Sequence, residues 1–173
     1  FGQCASNVQC AIDGPNKALG KPATQSSEAF GAGPGRAVDG NTNGQWGGGS
    51  VTHTDGDNAW WEVDLLDTYD IGEIVLWNRL DCCSERLMDF TITILDVDYA
   101  IVFEEGGLDA LSQVSFTLED VATSGQYVRI SMPGAYLSLA EVQVFEEEPG
   151  PSSVTVSWDP PACATPQNYN IYS

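Results

Sequence analysis

Charged side chains with a fixed spacing stand out in the segment RLDCCSER, residues 79–86. Arg79 and Arg86 carry only hydrogen-bond donors, and His53 upstream can donate from either ring nitrogen. Arg79 and Asp81 are two residues apart, so in an extended chain they face the same side and the Asp81 carboxylate can hold the Arg79 guanidinium as a fork. Fixed donors of this kind suit a ligand that offers oxygen lone pairs, such as the hydroxyl groups and ring oxygen of a sugar.

The same segment contains two adjacent cysteines, Cys82 and Cys83. Free neighbouring thiols would be an oxidation hazard, and two bridges to different strands would need two partner cysteines nearby. The remaining cysteines are Cys4, Cys10 and Cys163, and all three lie outside the central part of the chain. The residues alone leave two alternatives: one bridge between the neighbours, or a separate bridge from each cysteine.

The charge balance limits the class of partner. Acidic residues outnumber basic residues 25 to 6, for a net charge of -19, which repels nucleic acid and acidic lipid headgroups. The carboxylates either keep the surface solvated or hold a cation such as Ca²⁺. No apolar run reaches the roughly 18 residues of a membrane span, so no membrane insertion is expected. Five cysteines without a zinc-type pattern favour disulfides in an oxidising compartment, and we expect an extracellular protein, either secreted or at the cell surface.

Most of the chain reads as short strands, which predicts an all-β fold. The strand-like runs are WWEVDLL, IGEIVLWNR, MDFTITILD, AIVFEE, QVSFTLED, QYVRISM and YLSLAEVQVF. They alternate or are wholly apolar, and Gly, Asp, Ser or Pro separates most of them, as in a two-sheet sandwich. We expect four zones: a lead-in at 1–15 with a local Cys4–Cys10 disulfide, a main domain at 16–146, an acidic and proline-containing linker at 147–151, and a last segment at 152–173.

A glycine-rich stretch, residues 31–53, has little to bury, so it needs something to organise it. Asp39 and Asn41 flank a glycine in it, and Ser50 follows a short way on. Hard cations take carboxylate, amide and carbonyl oxygens from such tight loops, although an ordinary Asp-Gly turn explains the pattern as well. Glu141 is an acid in the otherwise apolar last run, where a carboxylate is costly unless it is paired or ligating. This position independently favours a metal site.

The runs NKALGKPATQSS, AVDGN, VTH, WWEVDLL, NRLDCCSER and LSLAEVQVF, taken in order, resemble the F-type lectins, the fucose-binding fucolectins. The resemblance covers about residues 16–146 and includes His53, Arg79, Asp81 and Arg86 in the spacing of that family. It implies an eight-stranded jelly-roll β-sandwich of the galactose-binding-domain type. It also implies a module that binds L-fucose on fucosylated glycans without catalysis.

The resemblance assigns further roles at this site. It implies a vicinal disulfide between Cys82 and Cys83, whose flat apolar surface can pack against the hydrocarbon edge of a sugar. It assigns the histidine and the two arginines to an axial hydroxyl and the ring oxygen of L-fucose. Trp46 is the expected wall of the niche for the 6-methyl group, and Phe30 in the preceding loop is a candidate for the opposite wall.

The resemblance also implies one structural, non-catalytic Ca²⁺ ion. The implied ligands are the side chains of Asp39, Asn41, Ser50 and Glu141 and the backbone carbonyls of Arg36 and Ala140. The ion would tie the glycine-rich loop to the last strand and thereby position Trp46 and His53.

The last segment, SSVTVSWDPPACATPQNYNIYS, resembles the opening strands of a fibronectin type III domain, with Trp158 as its early core tryptophan. Two or three strands cannot close such a sandwich, so exposed edges would remain. Either the chain is a fragment of a longer protein, or this tail adds strands to a neighbouring molecule and promotes self-association. Cys163 is then available for an intermolecular bridge.

Three classes of function are compatible with these patterns. The first is a calcium-containing lectin for fucosylated glycans. The second is a structural subunit of an extracellular filament or matrix, built on the same jelly roll with strand exchange through the tail. The third is a glycan-targeting module cut from a glycosidase, but the sequence assembles no nucleophile with an orienting base, so hydrolysis by this chain is not expected.

Overall fold

The structure is a computed structural model, and it describes residues 14–110, 115–133 and 136–147. These ranges contain β-strands and three short 3-10 helices, and no α-helix occurs within them. The strands are β1 (Ala23–Gln25), β2 (Ala59–Asn78), β3 (Phe90–Leu95), β4 (Ile101–Leu108), β5 (Ser115–Leu118), β6 (Thr123–Met132) and β7 (Leu139–Glu146). All their pairings are antiparallel. The predicted all-β class is confirmed.

Strand β2 organises the fold because its two halves pair with different neighbours. Residues 59–64 lie between β1 and β6, whereas residues 71–78 pair with β7 and β5. Between the halves the register shifts and Leu66 adopts a φ of 66°, so the strand leaves one layer and enters the other. The sequence showed these halves as two separate runs, and counting them separately gives the eight strands of the predicted jelly roll.

The hydrophobic core lies between the two layers. The path β1-β2-β6-β3-β4 forms one layer, and β7 and β5 flank the second half of β2 in the other. Trp61 and Val63 enter the core from the first half of β2, and Ile74 and Leu76 enter it from the second half. All four side chains are fully buried, because side chains alternate between the faces of a strand and these positions face inward. The core therefore anchors the strands whose ends carry the loops of interest.

The sequence pattern did not predict β1. This strand is only three residues long, and it carries a threonine and a glutamine rather than an apolar run. Its pairing with β2, which places Ala23 opposite Val63 and Gln25 opposite Trp61, holds it in the sheet. A strand stabilised by its neighbour rather than by its own composition leaves little signal in the sequence.

A pairing outside the regular strands fixes the position of His53. Residues 51–54 run beside residues 137–139, and both segments are mostly buried. The backbone N–H groups of Thr52 and Thr54 donate to carbonyl oxygens of the partner segment at 2.8 and 3.0 Å, and their hydroxyls accept from its N–H groups. His53 lies between these two threonines, so the chain on both sides of it is held to the strand region.

Several sequence predictions fall outside the described residues. They are the Cys4–Cys10 disulfide, the fibronectin-like segment with Trp158 and Cys163, and most of the linker, and they stay predictions. In the described part of the chain, no helix has the length and apolar character needed to cross a bilayer.

Candidate functional site

Side chains from separate loops line an open cavity of about 350 Å³; they are Phe30, Trp46, His53 and Arg79. Three aromatic rings form a cluster there. The rings of Phe30 and His53 are stacked with centroids 5.7 Å apart, and the Trp46 ring meets His53 edge-on at 5.8 Å. The structure therefore brings the predicted Trp46 and His53 together with Phe30, the candidate for the opposite wall.

His53 is nearly buried, with 8% of its surface exposed. Its Nδ1 lies 2.8 Å from the hydroxyl oxygen of Ser138, which leaves Nε2 to face a ligand. Burial lowers the pKa of His53 below its usual value, and the charges of Arg79 and Arg86 lower it further, while Asp55 opposes them. The imidazole is therefore neutral at pH 7, and it can donate to a ligand oxygen when Nε2 carries the proton.

Arg79 is clamped from two sides. Its Nε donates to Oδ1 of Asp81 at 2.8 Å and its Nη2 to Oδ2 at 3.3 Å, which is the fork predicted from their spacing. The guanidinium carbon also lies 4.6 Å from the ring centroid of Trp46. The hydrogen bond from Arg79 is the largest influence on the pKa of Asp81 and lowers it, so the carboxylate stays ionised and the clamp persists in mild acid.

Arg86 is held against a different ring. Its guanidinium carbon lies 5.6 Å from the centroid of Tyr136, and the Tyr136 ring lies 5.8 Å from that of His53. Tyr136 therefore connects Arg86 to His53, and His53 and Arg79 line the same cavity, so the three predicted donors surround one imidazole. Arg86 is exposed and is the last residue of the third 3-10 helix, Ser84–Arg86.

Cys82 and Cys83 are joined by a disulfide bond, as the family resemblance implied. Cys82 is exposed and Cys83 is half-buried. Cys83 lines a second, smaller cavity next to Arg86 and Tyr136. The disulfide therefore presents its sulfur surface at the edge of the site.

Two contacts hold the loops of the site together. The Leu80 backbone N–H donates to the Gly44 carbonyl at 2.7 Å, which joins the segment after β2 to the glycine-rich loop. The Asn78 side chain, at the end of β2, donates to the Ser84 carbonyl at 2.9 Å. The backbone of Trp46 lies near the Asp81 carboxylate and helps to lower its pKa. Trp46 and the arginine segment are thus positioned by the same strand end.

The predicted cation ligands lie between the glycine-rich loop and β7. Glu141 in β7 is fully buried, and its two carboxylate oxygens accept from the Gly40 N–H at 3.2 and 3.3 Å. Oδ1 of Asp39 and Oδ1 of Asn41 each accept an N–H bond from two residues further along, at 2.8 and 3.1 Å. Burial raises the pKa of Glu141 to about 7, and the nearby charge of Asp39 acts in the same direction.

The other three predicted ligands are placed as follows. Ser50 is buried, and its hydroxyl donates to the Asn43 carbonyl within the loop. The Arg36 guanidinium binds the carbonyls of Val51 and Gly31 at 3.1 and 2.9 Å. Ala140 is buried beside Glu141 in β7, as its neighbour in sequence. Asp39 and Glu141 are therefore brought together through Gly40, whereas the Ser50 side chain is engaged with its own loop.

The donor set at this loop suits a hard cation. Among residues 14–110, 115–133 and 136–147 there is no cluster of three or more His, Cys, Asp and Glu side chains able to hold a metal, so a site here depends on two carboxylates supplemented by neutral oxygens. Over the same ranges, Glu141 forms no ion pair with a basic side chain. A buried carboxylate that faces a second one is unfavourable, and Ca²⁺, which accepts this mixture of oxygens, would neutralise the pair. The residues present therefore fit Ca²⁺.

The sequence interpretation missed Tyr136 and Ser138. Both come just before β7, in the run YLSLAEVQVF that was interpreted as wholly strand. Leu137 between them is buried, whereas Tyr136 is 42% exposed. The sequence offered only a weak signal, a tyrosine two residues before a serine at the start of a strand-like run.

Comparison with known proteins agrees with this architecture. A family profile described as "NedA-like, galactose-binding domain" matches residues 36–130. Fucolectin-5 from Anguilla japonica is 37% identical over 146 residues, which are 75% of each chain. Fucolectin-4 from the same organism is 44% identical over 84 residues, which are 46% of this chain and 47% of that protein, so the matched part spans about half the length of that relative.

A solved structure is similar over most of the chain. A fucose binding module from Streptococcus pneumoniae superimposes with a TM-score of 0.74 at 40% sequence identity, covering 78% of this chain and 96% of that one. The family profile matches more than half of the chain, and Fucolectin-5 is 37% identical over three quarters of it. The chain therefore belongs to the fucolectin, or F-type lectin, family.

Proposed function

We propose that this chain is a carbohydrate-binding module that recognises terminal L-fucose on fucosylated glycans. The observation that carries the proposal is the arrangement of three hydrogen-bond donors around one open cavity: His53 and Arg79 line it with two aromatic rings, and Arg86 lines the smaller cavity, held by the Tyr136 ring that contacts His53. The cavity of about 350 Å³ falls in the range of small-molecule sites, roughly 300 to 1,000 Å³. The Streptococcus pneumoniae relative is named for fucose binding, which supports the same ligand class here.

The site offers both hydrogen-bond donors and apolar surface, and a 6-deoxy sugar has both oxygen acceptors and a methyl group. The neutral His53 ring and the guanidinium groups offer donors to hydroxyl and ring oxygens, which carry acceptor lone pairs. Trp46 and Phe30 offer apolar surface for the 6-methyl group, and the Cys82–Cys83 disulfide offers polarisable surface for the hydrocarbon edge of the ring.

The proposed module acts by binding, without catalysis. Glycoside hydrolysis commonly needs two carboxyl groups flanking the scissile bond. Asp81, the carboxylate assigned to this site, is already bound by the Arg79 guanidinium. The residues that line the cavity are hydrogen-bond donors or aromatic rings, so no pair of carboxyl groups flanks it. We also propose an extracellular setting, because a disulfide such as Cys82–Cys83 persists in oxidising compartments.

A structural Ca²⁺ ion is the second part of the proposal. The side chains of Asp39, Asn41 and Glu141 would hold the ion, together with the Ser50 hydroxyl and nearby backbone carbonyls, including those of Arg36 and Ala140. When bound, the ion supplies positive charge to a buried carboxylate and cross-links the glycine-rich loop to β7. Trp46 and His53 lie further along the same loop, so the ion would stabilise the sugar site without touching the sugar.

Calorimetry with free L-fucose tests the sugar proposal. We expect the wild type to bind L-fucose and to bind L-galactose less well, because L-galactose differs from L-fucose only by a 6-hydroxyl group where the apolar niche expects a methyl group. Arg79→Ala and Arg86→Ala each remove charge-assisted donors worth about 1.5 to 3 kcal/mol, which corresponds to a roughly ten- to hundredfold loss of affinity.

A matched control is Lys21→Ala, which removes one positive charge from a partly exposed side chain outside the cavity. This variant should bind fucose as the wild type does. A wild type that does not respond to millimolar L-fucose would refute the proposal, and so would full binding by both arginine variants.

A further inference from the structure

The two arginines of the site are supported in different ways. Arg79 has the Asp81 carboxylate on one side and the Trp46 ring on the other. In the described ranges, Arg86 forms no ion pair with a carboxylate, and the contact that holds its guanidinium is the ring of Tyr136, 5.6 Å away. An arginine without a fixed partner loses more side-chain entropy when it binds a ligand.

Tyr136 also touches His53. Their ring centroids are 5.8 Å apart with an interplanar angle of 30°, and Ser138, two residues further on, meets Nδ1 of the same imidazole. The buried Leu137 between them anchors this segment in the core. One short segment therefore contacts two of the three proposed donors, and its exposed member contacts both.

We propose that Tyr136 is a positioning residue for fucose recognition, whose ring face holds the Arg86 guanidinium beside His53. This inference rests on the proposed function. The ring rather than the hydroxyl carries the role, because the contacts to Arg86 and His53 are made by the ring. Tyr136 thus does for Arg86 what the Asp81 carboxylate and the Trp46 ring do for Arg79.

The size of the effect follows from the kind of contact. A cation–aromatic contact at a partly exposed position changes an equilibrium by about two- to fivefold. Removing the ring should weaken fucose binding by about that factor. Removing the hydroxyl alone should change it by less than about twofold, because phenylalanine keeps the ring face.

An NMR titration of isotope-labelled protein with L-fucose measures affinity and geometry in one experiment. We expect Tyr136→Phe to bind as the wild type does, and Tyr136→Leu and Tyr136→Gln to bind about two- to fivefold more weakly. The Arg86 side-chain N–H signal should carry a ring-current shift in the wild type and in Tyr136→Phe. That shift should disappear in the leucine and glutamine variants, with or without sugar.

A double-mutant cycle separates positioning from a general structural role. In an Arg86→Ala background, Tyr136→Leu should cause little further loss of affinity, because the residue acts through Arg86. Tyr99→Leu is the control, since Tyr99 is 50% exposed and lies on a turn outside the cavity, and it should leave fucose affinity unchanged.

Three results would overturn the inference. They are an unchanged affinity in both ring-removing variants, an Arg86 signal that does not respond to them, and equal losses in Tyr136→Phe and Tyr136→Leu. A wild type that binds no fucose refutes the proposed function instead, and in that case the Arg86 ring-current shift still decides whether Tyr136 holds the guanidinium.

Discussion

At the scale of single residues, electrostatics determines how the site can bind a neutral sugar. Two guanidinium groups act on one imidazole, and a third positive charge there would be unfavourable. Burial and the two arginines both favour the neutral ring, so His53 can act as a neutral hydrogen-bond donor rather than as a cation. The Ser138 hydroxyl at Nδ1 supports this arrangement.

Fucose binding should therefore weaken in mild acid. The pKa of folded His53 lies below its usual value of 6.5, so the ring stays neutral above that pH and takes up a proton as the pH falls through the lowered value. We expect constant affinity from pH 7 to 8 and a progressive loss below about pH 6.5. Calorimetry in saturating Ca²⁺ measures this profile without contributions from the metal loop.

The variant His53→Asn should bind more weakly at every pH and show no such slope. Asp81 keeps its charge across this window because Arg79 lowers its pKa, so the clamp on Arg79 does not explain a loss. The same sign applies to stability: a folded pKa below the unfolded one makes the His53 contribution complete above pH 6.5 and lost as the pH falls. The protonation of His53 is followed by NMR in the same samples, and wild-type affinity that does not fall as the imidazole takes up its proton would contradict a neutral donor role.

Residue types and spacing predicted part of this site, and the missing part has a physical reason. The fork between Arg79 and Asp81 could be predicted because two residues of extended chain set its geometry. The pairing of Cys82 with Cys83 came from the family resemblance, since the residues alone allowed two alternatives. Tyr136 and Ser138 could not be predicted, because only the fold brings them next to His53.

At the scale of elements, the glycine-rich loop is positioned by close contact with the end of β2. A side-chain carbon at Gly44 would lie 2.4 Å from the Asn78 carbonyl oxygen and 2.8 Å from Cγ of Leu80. Both distances are too short for a real contact, so the loop can approach the strand only because position 44 carries no side chain. The hydrogen bond from Leu80 to the Gly44 carbonyl depends on that approach.

Gly44→Ala should therefore push the loop away from the strand. Overpacking of this kind costs about 1 to 3 kcal/mol of stability, and it should also weaken fucose binding because Trp46 follows in the same loop. Thermal unfolding and calorimetry measure the two effects. Gly47→Ala is the matched control, since a side-chain carbon there meets nothing within 4 Å and the residue is exposed.

Normal binding and stability in Gly44→Ala would show that the loop tolerates displacement, and losses of equal size in Gly47→Ala would point to loop entropy instead.

The sequence identified the loop as unusual but could not distinguish its glycines. Gly44 and Gly47 look alike in composition, and only the approach to β2 separates them. For the same reason the sequence could not show that the two runs of β2 form one continuous strand.

At the scale of the whole molecule, the contact between Gly40 and Glu141 connects parts of the chain that are 101 residues apart. It joins the loop that carries the proposed sugar-binding wall to the last strand of the second layer. Without a cation, this contact places a carboxylate whose pKa is raised to about 7 in a fully buried position. The strands depend on the hydrophobic core, whereas this contact ties the Gly40 end of the loop to β7.

Chelation should therefore lower the thermal stability of the protein. An ion that binds only the folded state adds RT ln(1 + [L]/Kd), roughly 2.7 kcal/mol at a hundredfold excess over Kd. We expect the melting temperature to fall in excess EDTA and to recover with added Ca²⁺, as measured by calorimetric scanning at pH 7.5. Fucose affinity should fall in the same EDTA sample, because the loop that carries Trp46 loses its cross-link.

The variant Glu141→Gln separates the ion from the carboxylate. The amide keeps an acceptor for the Gly40 N–H but removes the buried charge, so in EDTA this variant should be at least as stable as the wild type. Added Ca²⁺ should then raise its melting temperature far less than that of the wild type.

The control is Glu105→Gln at an exposed position on β4, which should respond to Ca²⁺ as the wild type does. If the wild type melts at the same temperature with EDTA and with Ca²⁺, or if Glu141→Gln gains as much from Ca²⁺, the junction is held by the Gly40 hydrogen bonds and not by a metal.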